Sequence, residues 1–202
     1  MNAKMPRWIT GALGLLAIVT GSVSCGDVQT QGHSPSQLIM DSLEATSGGN
    51  PGDYSTPLLS DVRTKSTTFS DPGQVTLRII LKDQGAPGAS STPSPLNAVK
   101  ITRYHVSFLR TDGRNTQGVD VPYAFDGAVT GTITTSPITL PFEMVRHQAK
   151  LEPPLTNLVG MGGRVIISTI AEVTFYGEDL AGNDIRVVGT MSVNFADFAD
   201  PD

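Results

Sequence analysis

The sequence predicts an all-β protein with the architecture of a β-sandwich. From about residue 57 onward, apolar and polar residues alternate with a period of two, as expected for strands with one buried face. Segments rich in Gly, Pro, Asn, Asp and Ser separate the alternating runs. No helical pattern longer than about ten residues competes with the alternation. We therefore expect one antiparallel sandwich, preceded by a leading segment and a tether.

The composition excludes several classes of protein. The chain has 202 residues with 14 basic and 19 acidic side chains, which gives a formal net charge of −5. An acidic chain of this kind lacks the basic surface of a nucleic-acid-binding protein. A single Cys permits neither an intrachain disulfide nor a thiolate metal cage.

Residues 1–24 have the layout of a secretory signal peptide. Lys4 and Arg7 form a basic start, residues 13–19 are largely apolar, and small residues lead into Cys25. The apolar stretch is shorter than the roughly 20 residues that a membrane-spanning helix needs. We expect this segment to be removed from the mature protein.

Cys25 lies where such a segment would be cut, in Ser22-Val23-Ser24-Cys25. This motif resembles the lipobox of bacterial lipoproteins. The resemblance implies that the thiol is acylated, that Cys25 becomes the mature N-terminus, and that the protein is anchored in the bacterial cell envelope, with Gly26 favouring the outer membrane. Ordinary secretion with a free thiol and an uncleaved anchor are the alternatives. Two acyl chains would hold the protein on a membrane, whereas one gives only marginal binding.

Residues 25–34 are predicted to be a flexible tether, and residues 35–202 the sandwich domain. The first element of the domain, residues 35–45, can be interpreted in two ways. Pro35 and Gln37 suit the start of a short capped helix, but the apolar run around Leu38 and Met40 also suits a strand. The next stretch, residues 47–53, is a loop by composition.

Two strands follow with clear alternation. The first has Val75, Leu77 and Ile79 on one face, and the second has Tyr104, Val106 and Phe108 on one face. Residues 84–97, between them, form a surface loop rich in Gly, Pro and Ser. Segments at 119–125, 129–135 and 138–145 come next, and we expect them to be short or at sheet edges because Pro122, Pro137 and Pro141 lack a backbone donor.

The last two strands form a long hairpin. In the final strand Val187 should point inward and Arg186 outward, and Gly182-Asn183 should supply the positive φ of the turn. The turn at residues 176–183 resembles the link between the closing strands of bacterial immunoglobulin-like and fibronectin-type modules. This resemblance implies an immunoglobulin-like sandwich.

The inventory of catalytic groups is thin. His33, His105 and His147 are dispersed, and neither a nucleophile-elbow, zinc-protease nor phosphate-loop motif is present. We therefore predict that the protein is not an enzyme. The leading hypothesis is a non-catalytic binding or structural module of the envelope, with a possible envelope protein as partner and no nucleic acid.

Calcium-dependent adhesion or carbohydrate binding is the alternative function. Hard cations prefer oxygen ligands, and the predicted inter-strand loops are rich in acidic residues. The calcium candidates are Asp112, Asp120, Asp126, Glu178, Asp179 and Asp184. Turn chemistry alone also explains these residues, so no cofactor is expected beyond this weak calcium hypothesis.

Four apolar residues are predicted to point outward from their strands: Ile80, Ile166, Ile170 and Val188. If their strands are neighbours, these side chains form one patch, and contiguous apolar patches usually mark interfaces. We expect the patch to be covered either by residues 38–43 of the same chain or by another envelope protein. Near the C-terminus, Phe198 should either fold back on the sandwich or face a partner.

Overall fold

The computed structural model describes residues 32–83 and 92–198. It is mostly β, with 53% strand and 7% helix, and its two sheets form an all-β sandwich as predicted. The eight strands are β1 (Ser36–Ala45), β2 (Leu58–Asp61), β3 (Asp71–Leu81), β4 (Val99–Leu109), β5 (Phe125–Ile133), β6 (Ile138–Val145), β7 (Ile167–Asp179) and β8 (Asp184–Ala196).

One sheet has three strands in the order β1-β3-β6, and the other has five in the order β2-β8-β7-β4-β5. All neighbours are antiparallel except β2 and β8, which are parallel. β5 and β6 each lie at the edge of a sheet as predicted, but residues 119–124 lie in the β4–β5 connection and are not a strand. Pro141 falls within β6. A proline is tolerated there since an edge strand has one row of unpaired backbone groups.

The predicted period of two is confirmed in β3 and β8. Val75, Leu77 and Ile79 are buried in β3. In β8 the odd-numbered residues face the core, with Val187 packed against it and Arg186 exposed. The inward faces of both sheets together form one core cluster.

Tyr104 lies at the aromatic centre of this core. A β-bulge in β4 between Ile101 and Arg103 precedes it. Its ring centroid lies 5.3 Å from that of Phe142 and 6.0 Å from that of Phe175. The Tyr104 hydroxyl accepts a hydrogen bond of 3.1 Å from the backbone amide of Glu143, so its one polar atom is satisfied where β4 meets β6.

The first element is a strand, which settles the ambiguity between helix and strand. β1 pairs with β3, Leu38 is buried, and Met40 and Leu43 pack against the core. Their side chains lie over Gly189 of β8, where a Cβ atom would come within 2.2 Å of Met40 Sδ. Glycine therefore permits the close approach of β1 to the other sheet.

The hairpin turn between β7 and β8 is built around Asp179. Its carboxylate accepts hydrogen bonds of 2.9 Å from the backbone amides of Ala181 and Asn183. Gly182 has φ +79°, as predicted, but Asn183 does not share this conformation. Asn183 instead donates its side-chain amide to Asp179 Oδ2 at 2.9 Å.

The connection between β6 and β7 contains helical turns that the sequence did not predict. They are α1 (His147–Lys150) and a 3-10 helix at Leu155–Leu158. Leu155 and Leu158 are buried and belong to the core cluster. This connection therefore closes one end of the sandwich.

The two ends of the sandwich differ. We call the end where β1 starts the N-terminal end; it carries the β3–β4 and β5–β6 connections and the β7–β8 turn. We call the other end, where β8 stops at Ala196, the C-terminal end. It carries the connections at residues 46–57, 62–70, 110–124 and 146–166.

Candidate functional site

A buried ion pair lies at the C-terminal end. Lys150 Nζ is 2.7 Å from Asp71 Oδ1, and both side chains are wholly buried. Lys150 Nζ also donates to the backbone oxygen of Asp61 at 2.7 Å. A charge buried this deeply is strongly unfavourable unless it is paired and hydrogen-bonded, which these contacts provide.

The remaining acceptor positions of Asp71 are also occupied. Ser60 Oγ donates to Asp71 Oδ2 at 2.5 Å, and the backbone amide of Gly48 donates to Oδ1 at 2.9 Å. Burial raises the pKa of the Asp71 carboxyl above its ordinary value, while the charge of Lys150 and these hydrogen bonds oppose the rise. The cluster joins β2, β3, α1 and the loop after β1.

A cavity of about 400 Å³ adjoins this cluster. Its lining residues come from both sides of β2 and from the C-terminal segment: Ala45, Thr46, Ser47, Asn50, Gly52, Asp53, Ser55, Pro57, Leu58, Leu59, Asp61, Thr64 and Phe198. Asp61 belongs to both features, because its backbone oxygen binds Lys150 and its carboxylate faces the cavity side. There it accepts hydrogen bonds from Thr64 Oγ1 at 2.8 Å and from the backbone amide of Phe198 at 3.0 Å.

The loop that forms one wall of the cavity requires two glycines. A Cβ atom at Gly48 would lie 1.8 Å from the backbone oxygen of Ser70, and one at Gly49 would lie 1.8 Å from Thr64 Oγ1. This tight packing fixes the wall against the β2–β3 connection. In the same wall, Ser47 Oγ is buried and has no hydrogen-bond partner.

A second groove, of about 680 Å³, lies at the N-terminal end. The Arg103 guanidinium stacks over the Tyr176 ring at 3.7 Å from its centroid. Cationic and anionic side chains both line this groove, including Lys82, Arg186 and Glu178. Its walls therefore do not select for one sign of charge.

The N-terminal end is also where the predicted tether meets the domain. Ser34, assigned to the tether from the sequence, is buried and forms a side-chain hydrogen bond with Asp179. Cys25 and the rest of residues 1–31 lie outside the described residues. Within the described part of the chain, no helix has the length and apolarity to cross a membrane.

The six calcium candidates do not converge on one point. Glu178, Asp179 and Asp184 lie at the N-terminal end beside the β7–β8 turn, whereas Asp112 and Asp120 lie in the β4–β5 connection at the C-terminal end. Asp126, in β5, is paired with Arg103 and His105. Across residues 32–83 and 92–198, no group of three or more His, Cys, Asp or Glu side chains is placed to hold a metal ion.

The Asp112 carboxylate is already bound by neighbouring side chains. Arg110 and Arg114 both form ion pairs with it, and the Arg110 hydrogen bonds hold the pKa of the Asp112 carboxyl well below its usual range. Calcium-dependent adhesion remains a prediction. A calcium-dependent rise in melting temperature would test it, since a ligand that binds only the native state stabilises that state.

The four predicted interface residues are not brought together as one patch. Ile80 lies on β3 in the three-stranded sheet, whereas Ile170 and Val188 lie on β7 and β8 in the other sheet. Val188 pairs with Thr174, four residues along β7 from Ile170, which is about 13 Å. Ile166, just before β7, and Val188 are about half exposed, so an interface that includes them stays a prediction.

The segment expected to cover that patch lies elsewhere. Residues 38–43 belong to β1, in which Leu38 is part of the core and Met40 and Leu43 pack against it. Phe198, in contrast, is partly buried at the cavity, with its amide bound by Asp61. The C-terminal segment therefore folds back on the sandwich, which is one of the two predicted arrangements.

The histidines are placed apart. His33 is exposed beside the domain boundary, and His147 is exposed at the start of α1. His105 Nδ1 lies 3.2 Å from Asp126 Oδ1 on the solvent-facing side of the five-stranded sheet. His105 is therefore a surface histidine with a carboxylate beside it.

Sequence reasoning missed the buried pair. Asp71 directly precedes Pro72-Gly73, which is typical of a turn, and Lys150 lies in a polar run with His147 and Gln148. Neither position carries a local pattern that distinguishes a buried charge from an exposed one. The only usable signal was the glycine-rich loop at residues 47–53, whose place in the fold was unknown.

No family model matches the chain, and no curated protein matches it. Among solved structures, the X-ray structure of Northeast Structural Genomics Consortium target SoR45 is similar over 80% of this chain and 86% of that chain, with 12% sequence identity and a TM-score of 0.34.

Proposed function

We propose that the protein is a membrane-anchored bacterial envelope lipoprotein whose immunoglobulin-like sandwich acts as a non-catalytic binding module. The observation that carries the proposal is the position of the one cysteine. Cys25 ends the signal-like segment and is separated from Gly32, where the described chain begins, by six residues. Acylation would consume a thiol that otherwise stays exposed and reactive in an oxidising compartment.

The strand order supports the immunoglobulin-like type. In that fold strands A, B and E are neighbours in one sheet, and G, F and C are neighbours in the other. Here β1-β3-β6 matches the first set and β8-β7-β4 the second, with β5 beside β4 as an added strand. Tyr104 on β4 takes the central core position that a buried Trp holds in antibody domains.

The anchor fixes which end of the module faces the membrane. Seven residue steps from Cys25 to Gly32 span at most about 25 Å, so the N-terminal end stays near the lipid surface. β1 has ten residues and is about 33 Å long, so a module that stands upright on its anchor holds the C-terminal end away from that surface. The cavity beside the Asp71–Lys150 pair is thus the site turned toward partners.

Rigid walls support binding as the role of this end. The buried ion pair, the Gly48 amide and the packed Gly49 hold three loops in one arrangement before any ligand arrives. A preformed site binds more tightly because less conformational freedom is lost on association.

Substitution of the cysteine tests the proposal. The Cys25→Ser variant should lose fatty-acid labelling and should leave the membrane fraction of the bacterial cell. Ser24→Ala is the matched control, since it keeps a small residue beside an intact thiol and should keep both properties. Fatty-acid labelling that survives Cys25→Ser would refute the lipoprotein assignment.

A further inference from the structure

The cavity at the C-terminal end combines uncharged polar groups with an apolar platform. Hydroxyl and amide side chains line it, namely Thr46, Ser47, Asn50, Ser55 and Thr64. Pro57, Leu59 and Phe198 supply apolar surface beside them. Such walls offer both hydrogen-bond donors and acceptors and a surface for C–H groups.

The charges in the lining argue against an anionic ligand. No Lys, Arg or His side chain is among the lining residues, and the two ionisable ones are Asp53 and Asp61. The Asp61 carboxylate is already bound by Thr64 and the Phe198 amide. Asp53 is exposed and enters no ion pair with the described residues, so its carboxylate is open to donors from a ligand.

Polar side chains without partners also favour an uncharged ligand that forms hydrogen bonds. Ser47 Oγ is buried in the wall without a partner, and the Asn50 side chain is exposed at the rim. Buried hydroxyls in native proteins are normally hydrogen-bonded to protein groups or to ordered water, so the unpaired Ser47 hydroxyl leaves room in this wall for one further polar partner. Asn50 and Asp53 both line the cavity and are exposed, so a ligand with several hydroxyls can hydrogen-bond to both.

We infer that this cavity binds a neutral saccharide, with Asp53 and Asn50 accepting and donating hydrogen bonds to its hydroxyls and with Phe198 and Leu59 against its C–H face. The inference deepens the proposed function, because it names the ligand class of the same binding module. Excess carboxylate in the lining disfavours acidic sugars, whose charge would repel Asp53. The Asp71–Lys150 pair acts only as support beneath the site.

A glycan array is the test. Full-length protein in detergent is applied to neutral oligosaccharides and to oligosaccharides containing uronic acids, and bound neutral sugars are then titrated in solution. Neutral oligosaccharides should bind, and Asp53→Asn and Asn50→Ala should each weaken binding about tenfold, as expected for one lost hydrogen bond in a binding site. Thr139→Ala, on the outer face of the other sheet, is the control and should bind like the wild type.

Three results would overturn the inference: no binding to any neutral oligosaccharide, preferential binding to the acidic ones, or binding that Asp53→Asn and Asn50→Ala leave unchanged. Both substitutions are at exposed loop positions, so each variant should have the melting temperature of the wild type within error. An unchanged melting temperature shows that weaker binding comes from lost contacts and not from lost folding. Fractionation of Cys25→Ser reports on the anchor independently. Failure of saccharide binding therefore does not affect the lipoprotein assignment. Failure of the lipoprotein assignment likewise does not affect the saccharide-binding inference.

Discussion

Lys150 Nζ and Asp71 Oδ1 lie 2.7 Å apart with both side chains wholly inside the protein, although the two residues are 79 positions apart in the sequence. The contact ties the β6–β7 connection to the start of β3. Ser60 and Gly48 complete the cluster from β2 and from the loop after β1. Four chain segments are thereby held at one end of the sandwich.

Removal of the lysine should be strongly destabilising. Lys150→Met leaves the Asp71 carboxylate buried without its counter-charge, and we expect the free energy of unfolding to fall by about 3–5 kcal/mol in urea denaturation. Lys100→Met, at an exposed position on β4, is the control and should change it by less than about 0.5 kcal/mol.

A double variant tests whether the unpaired Asp71 carboxylate causes this loss of stability. If the loss comes from the unpaired carboxylate, Asp71→Leu combined with Lys150→Met should be less destabilising than the sum of the two single substitutions. Strict additivity would contradict the assignment of a coupled pair.

The phase of β8 gives a second prediction. Val193 is wholly buried and Ser192 is exposed, so Val193→Asp should cost about 3 kcal/mol or more while Ser192→Asp should cost less than about 0.5 kcal/mol. Thermal unfolding of both variants measures the difference. Similar losses from the two substitutions would mean that the strand is shifted by one residue.

The β7–β8 turn should make stability depend on pH. Burial favours a higher pKa for Asp179, but hydrogen bonds from Asn183, Ser34 and Ala181 outweigh it and hold the pKa below its ordinary value of 3.8. A carboxyl with a lowered folded-state pKa stabilises the fold above its unfolded-state pKa and loses this contribution as the pH falls through the folded-state value.

The matching variant is Asp179→Asn. It should be less stable than the wild type at about pH 6, and the difference should shrink below about pH 3.8 as the wild-type carboxyl becomes protonated. Urea denaturation across this range measures the effect. A stability difference that grows on acidification would show that the sign of the pKa shift is wrong.

Strands with strong alternation were predictable, and elements shaped by tertiary contacts were not. In β3 and β8 one buried face leaves a pattern that can be seen in the sequence, which is why Val75 and Val187 were assigned to the correct face. β1 was ambiguous because a short apolar run suits a helix and a strand equally. Leu155 and Leu158 were missed since a single helical turn after Pro153-Pro154 is too short to show a periodicity.

The candidate site was less predictable than the fold. Whether Asp71 and Lys150 are buried depends on how the ends of the sheets close, which no local pattern reports. The acidic loop residues were visible, but their grouping depends on topology: Asp112 and Asp184 follow β4 and β7 at opposite ends. Composition identified the loop at residues 47–53 without identifying the cavity wall that it forms.

The central claim is that an acylated Cys25 holds the N-terminal end at the membrane and turns the cavity away from it. The most direct test is to measure how far each end of the sandwich lies from the lipid surface. Acylation leaves no free thiol, so one cysteine introduced by Leu180→Cys or Leu151→Cys can carry a fluorescent donor. The protein is placed in lipid vesicles, and lipid labelled at its headgroup serves as the acceptor. Leu180 is exposed at the β7–β8 turn, and Leu151 is exposed just after α1. We predict efficient energy transfer from position 180 and weaker transfer from position 151. Equal transfer from both positions, stronger transfer from 151, or labelling of Cys25 itself in the parent protein would contradict the account.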